Sequence, residues 1–131
     1  MKISIGTAQL GLPYGINNSR KKSIRLNEFK KILLSSNKKK INSIDTAIAY
    51  GDSEKKIGQI LSKLNLKNNF NITTKLPKIR HKKSNIIKDY VEEMSYQSLR
   101  KIGIKKFYSV LIHDIQDIKS NKKDIIFNAL K

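Results

Sequence analysis

The segment SIDTAIAYGDSE, residues 43–54, places a carboxylate and a phenol directly after a short apolar stretch. Asp45 follows the apolar residues, and Tyr50 comes five residues later. Ser53, with Glu54 next to it, suits a helix N-cap with an acid in the first turn. The segment therefore predicts a short buried strand, a loop that carries an acid and a phenol, and then a helix.

Strand and helix patterns alternate along the rest of the chain. Short apolar strand patterns occupy residues 2–5, 41–45, 71–76 and 107–113. Apolar residues at helical spacing predict helices over residues 24–38, 57–64, 87–102 and 121–131, the third ending at Gly103. Strict alternation predicts an α/β fold with a parallel sheet and helical crossovers. No linker interrupts the pattern, so residues 1–131 are interpreted as a single partial domain.

The charge is strongly positive, with 28 Lys and Arg against 10 Asp and Glu and a net charge of +18. Such a balance raises nucleic acid as a partner. However, only four of the cations are Arg, and the Lys residues occur in short clusters such as 38–40 and 122–123. We interpret them as solvated helix faces and expect no specific nucleic-acid partner. A basic protein that binds nucleic acid or acidic surfaces is the alternative.

Several classes of function are excluded or disfavoured by composition. The chain has no cysteine, which excludes disulfides, thiolate catalysis and Cys-ligated zinc. His81 and His113 lack the spacing of metal ligands, so no metal site is predicted. No apolar run approaches the roughly 20 residues of a membrane span. The first residues contain no signal-peptide core, and we expect a cytoplasmic protein without membrane contact.

Ionisable side chains recur where successive predicted strands end. Asp45 and Tyr50 follow the second strand, Lys75 ends the third and His113 ends the fourth. Each of the four residues also has a purely structural interpretation. Asp45 could cap the turn after its strand, and Tyr50 could pack its ring at the rim of the sheet. Lys75 could extend to solvent, and His113 could be a hydrogen-bonded histidine at a strand end. Active sites of parallel α/β folds form at the carboxyl ends of the strands. The recurrence therefore predicts one site.

The four groups are also chemically compatible. A phenol is a poor acid near pH 7, and a neighbouring ammonium favours its ionised form. A carboxylate beside the ammonium keeps it charged and in place. A neutral imidazole can donate a hydrogen bond to a carbonyl oxygen. Together they could polarise and protonate a carbonyl while another group delivers hydride.

Four segments resemble the aldo/keto reductase family. They are GTAQLG (6–11), INSIDTAIAYGDSEKKIG (41–58), ITTKLP (72–77) and SLRKIGIKKFYSVLIHD (98–114). The resemblance implies a (β/α)8 TIM-barrel fold, here truncated to about the first four βα units. It also implies the reduction of a small aldehyde or ketone to an alcohol, with NADPH, or alternatively NADH, as the cofactor.

The resemblance assigns roles to individual residues. Tyr50 would donate the proton to the substrate carbonyl, and Lys75, held by Asp45, would make that phenol more acidic. His113 would orient the carbonyl. Gly6 and Thr7, in the first-strand loop, would contact the cofactor, most of whose site lies in later strands of the family.

Departures from the family pattern concern Lys40, Tyr108 and the length. The family often has Asp where this chain has Tyr108, a position outside the four site residues that we expect to concern packing. The family has Gly where this chain has Lys40, which would cost on the order of 1 kcal/mol in a left-handed turn. A full barrel needs about 250 residues, so we expect the N-terminal half of a reductase. The alternative is a catalytically silent half-barrel, and self-association through its open sheet edges is a further expectation.

Overall fold

The computed structural model describes residues 3–19 and 21–130, in which four parallel strands alternate with helices. The elements are β1 (Ile5–Gly6), α1 (Ala8–Gly11), α2 (Leu26–Lys38), β2 (Ser43–Asp45), α3 (Ser53–Lys63), β3 (Asn71–Leu76), α4 (Ile87–Ile102), β4 (Ser109–Ile112), α5 (Ile115–Lys119) and α6 (Lys123–Ala129). Single-turn 3-10 helices at Lys67–Asn69 and Ser84–Ile86 precede β3 and α4. The strands lie in the order β1-β2-β3-β4. This confirms the α/β prediction, because it is the arrangement of the first four βα units of a TIM barrel.

Several elements differ in length from the prediction. β2 begins at Ser43 rather than at residue 41, and α2 begins at Leu26 rather than at residue 24. β1 covers only Ile5–Gly6, whereas residues 2–5 were predicted, and Lys2 lies outside the described residues. β4 covers Ser109–Ile112 rather than residues 107–113. The last helix ends at Ala129, and Lys131 lies outside the described residues. Among the described residues β1 pairs with the three-residue β2 alone, through Ile5 and Gly6, so its ladder is short.

Two short helices were not predicted. α1 has four residues and α5 has five, which is too short for a helical period to show in the sequence. The N-cap of α5 is Asp114, whose side chain accepts a hydrogen bond from the Gln116 backbone N–H at 2.9 Å. Both helices lie directly after strands, and they shape the loops at the end of the sheet where the ionisable residues were predicted.

The helix ends agree with the sequence in two cases and differ in one. α4 ends at Gly103 in the left-handed conformation, as predicted. α2 ends in a Schellman motif, in which Ile41 N–H bonds to Ser36 C=O at 2.9 Å, and Lys40 takes the left-handed position with φ 58°. The predicted N-cap of α3, Ser53, is wrong. Asp52 is the N-cap, and the Ser53 hydroxyl instead donates to the Thr7 carbonyl at 3.2 Å.

The core consists of two apolar clusters between the sheet and its helices. The larger one packs α2 and α3 on β2 and β3 and contains Leu10, Phe29, Leu33, Ile44, Ile57, Ile60, Leu61, Phe70, Ile72 and Ile102. The smaller one packs α4 and α6 on the end of β3 and contains Leu76, Ile79, Ile87, Val91 and Ile126. The helices thus cover one face of the sheet, and the ionisable residues lie on the other.

The uncovered face and the outer strands remain accessible. β1 and β4 each pair with one strand among the described residues, and Leu111 on β4 is 42% exposed. Unpaired strand edges favour pairing with another chain. Self-association through these edges stays a prediction.

Candidate active site

The register of the sheet places three of the predicted residues on one face. Asp45 lies opposite Thr73, and Lys75 is two residues further along β3. Lys75 lies opposite Leu111 on β4, and His113 is again two residues further along. Because side chains alternate between faces with a period of two, Asp45, Lys75 and His113 all point to the same side.

Lys75 and Asp45 form an ion pair at the centre of this face. The Lys75 ammonium contacts Asp45 Oδ1 and also donates to the Thr46 carbonyl at 3.1 Å. The Lys75 side chain is 17% exposed and that of Asp45 is 35% exposed. A carboxylate and a backbone carbonyl therefore hold a partly buried cation in a fixed position.

Tyr50 and His113 complete the cluster. The Lys75 Nζ atom lies 5.3 Å from the centroid of the Tyr50 ring. The His113 ring meets the Tyr50 ring edge to face, with centroids 5.8 Å apart and an interplanar angle of 82°. The structure thus brings all four residues together, although they come from three different strand ends.

The position of Tyr50 depends on a close contact between two glycine-containing turns, which the sequence analysis missed. A Cβ atom on Gly11 would lie 1.7 Å from the Tyr50 carbonyl oxygen. Gly51 has φ 57°, and a Cβ there would lie 2.8 Å from the Gly11 carbonyl oxygen. The end of α1 therefore packs directly on the backbone of Tyr50, and no larger residue fits at Gly11 without moving that backbone.

A buried carboxylate behind the site was also missed. Glu54, in the first turn of α3, is 2% exposed. Its Oε1 atom accepts hydrogen bonds from the Thr74 hydroxyl at 2.8 Å and from the Ser98 hydroxyl. Thr74 precedes Lys75, so Glu54 links the helix that follows Tyr50 to the strand that carries Lys75. Ser98 lies on the apolar face predicted for the third helix, and a polar residue there was the available signal.

The first-strand loop lies beside the cluster. Gly6, Thr7, Asp45 and Tyr50 line part of a cleft of about 380 Å³. The Thr7 N–H and hydroxyl both donate to the Asp45 carbonyl, at 3.1 and 2.9 Å, so both of its donors are already used. A Cβ on Gly6 would meet no atom within 4 Å, which leaves open space next to Tyr50. Contact of Gly6 and Thr7 with a cofactor stays a prediction.

Two further carboxylates anchor the loops around His113. Asp114 accepts a hydrogen bond from Arg80 Nη1 at 2.6 Å, which, with the Gln116 N–H, lowers the pKa of Asp114 to about 2. Asp117 is fully buried and accepts from the backbone N–H groups of Ile79, at 3.1 Å, and Arg80, at 2.8 Å. The loop after β3 is thereby tied to the loop that follows His113.

Other kinds of site are not found in the described part of the chain. Within residues 3–19 and 21–130 no group of three His, Asp or Glu side chains could hold a metal ion. Among the described helices, none has the length and apolarity required to cross a membrane.

Comparison with known proteins identifies a family and a fold. The family model for the aldo/keto reductase family matches residues 2–130. A solved structure from Pseudomonas aeruginosa, assigned to the aldo-keto reductases, superposes with a TM-score of 0.78 at 22% identity and covers 98% of this chain and 49% of that one. No curated protein matches the chain.

Two further solved structures agree on the fold. A second Pseudomonas aeruginosa structure assigned to the aldo-keto reductases has a TM-score of 0.75 at 21% identity, covering 98% of this chain and 48% of that one. A protein assigned as 2,5-diketo-D-gluconic acid reductase B has a TM-score of 0.58 at 21% identity, covering 86% and 33%. The chain spans about half the length of the two Pseudomonas structures.

Proposed function

This chain belongs to the aldo/keto reductase family, and on that premise we propose that it supplies the proton-transfer residues of a site that reduces an aldehyde or ketone to an alcohol. One observation carries the proposal: the Lys75 ammonium is paired with Asp45 and lies 5.3 Å from the Tyr50 ring. A cation held beside a phenol favours release of the phenolic proton. His113 lies against the same ring and completes the set.

In the proposed reaction, Tyr50 is the general acid. Its hydroxyl donates a proton to the carbonyl oxygen as negative charge develops there, and the ring is left as a phenolate. The Lys75 ammonium stabilises that phenolate, and Asp45 keeps the ammonium in place. The His113 imidazole donates an N–H to the same carbonyl oxygen and sets its direction.

A reduced nicotinamide, which we assign as NADPH with NADH as the alternative, would supply the hydride that completes the reduction. The cleft beside Tyr50 fits the nicotinamide end of such a molecule, because Gly6 leaves open space and the lining is mostly apolar. None of the described residues that line this cleft is Lys or Arg. The phosphates of the cofactor therefore need cations from outside this cleft.

The reaction as a whole is proposed for a complete barrel. The chain spans about half the length of the Pseudomonas structures, which have room for the remaining βα units. We use "completed barrel" for this chain joined to, or expressed with, a C-terminal half from an aldo/keto reductase. We also propose that the protein acts in the cytoplasm.

The experiment is NADPH oxidation by the completed barrel, followed at 340 nm with a panel of aldehydes and ketones. We expect carbonyl-dependent oxidation that Tyr50→Phe removes while NADPH binding remains. An equal rate in the Tyr50→Phe variant would overturn the assignment of Tyr50 as the acid.

A further inference from the structure

Two adjoining clefts lie at the amino ends of the strands, at the opposite end of the sheet from Tyr50. One, of about 730 Å³, lies between the start of β3 and the segment that leads into β4. The other, of about 610 Å³, is lined by the residues that lead into β1 and β2. Asn71 and Tyr108 line both clefts, so the two form one continuous surface. We call this surface the basal groove.

Among the described residues, those that line the basal groove include five lysines and no Asp or Glu. Its lysines are Lys39, Lys40, Lys67, Lys105 and Lys106. All but the half-buried Lys67 are exposed. None of the five forms an ion pair with a described carboxylate, whereas the lysines elsewhere include several that do. The charge of the groove is therefore free to meet an anionic ligand.

An aromatic ring stands between the two clefts. Tyr108 is 70% exposed, although its backbone N–H is fixed to the Ile72 carbonyl at 2.8 Å. Its ring is thus presented to solvent from a rigid position at the start of β4. The Asn71 side chain beside it is exposed and adds an amide that can donate and accept hydrogen bonds.

We propose that the basal groove binds single-stranded nucleic acid without sequence preference. Sites for single strands combine a positively charged groove along the backbone with an aromatic side chain on which bases stack. The groove has both features, with lysines on either side of Tyr108. An acidic protein surface would use the lysines but has no need of an exposed ring, so we favour nucleic acid.

The proposal differs from the interpretation of the lysines as solvated helix faces, and the fold explains why. In the sequence, residues 39–40, 67 and 105–106 are far apart, and no regular spacing joins them to the aromatic residues. Parallel strands bring the loops before β2, β3 and β4 to the same end of the sheet. The binding is independent of carbonyl reduction, because it uses the opposite end of the strands.

The test is fluorescence anisotropy of a labelled 15-nucleotide oligo-dT strand titrated with the 131-residue chain at several salt concentrations. In the patch variant, Lys39, Lys40, Lys105 and Lys106 are changed to Gln; in the control variant, Lys31, Lys55, Lys63 and Lys123 are changed to Gln. The control lysines are exposed and lie outside the groove. Both variants reduce the net charge from +18 to +14.

We expect the patch variant to bind at least about tenfold more weakly than the control variant at 0.1 M salt, with a salt slope shallower by about 3. Tyr108→Ala should weaken binding about fivefold or more without changing that slope, and Tyr96→Ala, at an exposed tyrosine outside the groove, should not. Equal losses in the two lysine variants would mean that net charge alone binds the strand. Wild-type affinity in Tyr108→Ala, or no binding by the wild type at 0.1 M salt, would also overturn the proposal.

Discussion

The ammonium group of Lys75 lies 5.3 Å from the centroid of the Tyr50 ring and is paired with Asp45. The substitution Lys75→Met keeps a side chain of similar volume but removes the positive charge that would stabilise a phenolate. In the completed barrel we expect kcat to fall by about 10²- to 10³-fold. Steady-state kinetics measures the loss, and Lys63→Met, at an exposed residue in the last turn of α3, is the control. A Lys75→Met variant with wild-type kcat would contradict the role of the ammonium.

The contact between Gly11 and Tyr50 predicts an asymmetry between two glycines, Gly6 at the end of β1 and Gly11 at the end of α1. Gly11→Ala places a methyl group against the Tyr50 carbonyl oxygen, so we expect a loss of about 2 kcal/mol in the free energy of unfolding. Gly6→Ala, where a methyl group meets no atom within 4 Å, should change it by less than about 1 kcal/mol. Urea denaturation followed by circular dichroism compares the two. Equal effects would show that the close packing on Tyr50 is not present in solution.

Lys40 offers a stabilising substitution. Its φ of 58° is in the left-handed region, where a side chain with a Cβ atom costs about 1 kcal/mol or more. Lys40→Gly should therefore raise the free energy of unfolding by about 1 kcal/mol. Lys39→Gly, at a residue with φ −88°, should instead lower it, because glycine adds flexibility there without relieving strain. Thermal and urea denaturation of both variants measures the signs, and a destabilised Lys40→Gly would rule out the left-handed turn.

The ion pair between Arg80 and Asp114 predicts a pH dependence of stability. The hydrogen bond from Arg80 helps to lower the pKa of Asp114 from the usual 3.8 to about 2. Because the folded state favours the carboxylate, its contribution is present above pH 4 and is lost as the pH falls from about 4 to about 2. Urea denaturation at pH 5 and pH 2.5 measures this loss of stability.

The matched pair for this test is Arg80→Met and Arg100→Met. Arg80→Met should lose less stability between the two pH values than the wild type, because without the Arg80 hydrogen bond the pKa of Asp114 lies closer to its usual value. The Arg100→Met variant should show the pH dependence of the wild type. Arg100 lies on the exposed face of α4, with its Nη2 atom 3.7 Å from Glu93 Oε1. Identical pH dependence in all three proteins would mean that the Arg80 contact does not form in solution.

The sequence allowed the main features of the fold and the cluster to be predicted, because both follow from short periodic patterns. Alternating strand and helix patterns predict parallel strands, and parallel strands bring Asp45, Lys75 and His113 to one end of the sheet. The sheet register then explains why these three side chains also share one face, since each is offset by two residues on the next strand.

The supporting contacts could not be predicted in the same way. The packing of Gly11 on Tyr50 and the hydrogen bonds of Glu54 with Thr74 and Ser98 join residues 20 to 44 positions apart. Contacts between residues so far apart leave no periodic pattern in the sequence. α1 and α5 were missed because single-turn helices lack a measurable period, and the basal groove was missed because its lysines come from three separate loops.

The most direct test of the central claim compares Tyr50→Phe with the wild type in the completed barrel. Phenylalanine keeps the ring and its edge-to-face contact with His113 but has no proton to donate. The measurement is carbonyl-dependent NADPH oxidation, with the Kd for NADPH determined separately by fluorescence. We predict that kcat falls by about 10²- to 10⁴-fold while the Kd is unchanged. A Tyr50→Phe variant that reduces carbonyls at the wild-type rate would contradict the assignment of Tyr50 as the proton donor.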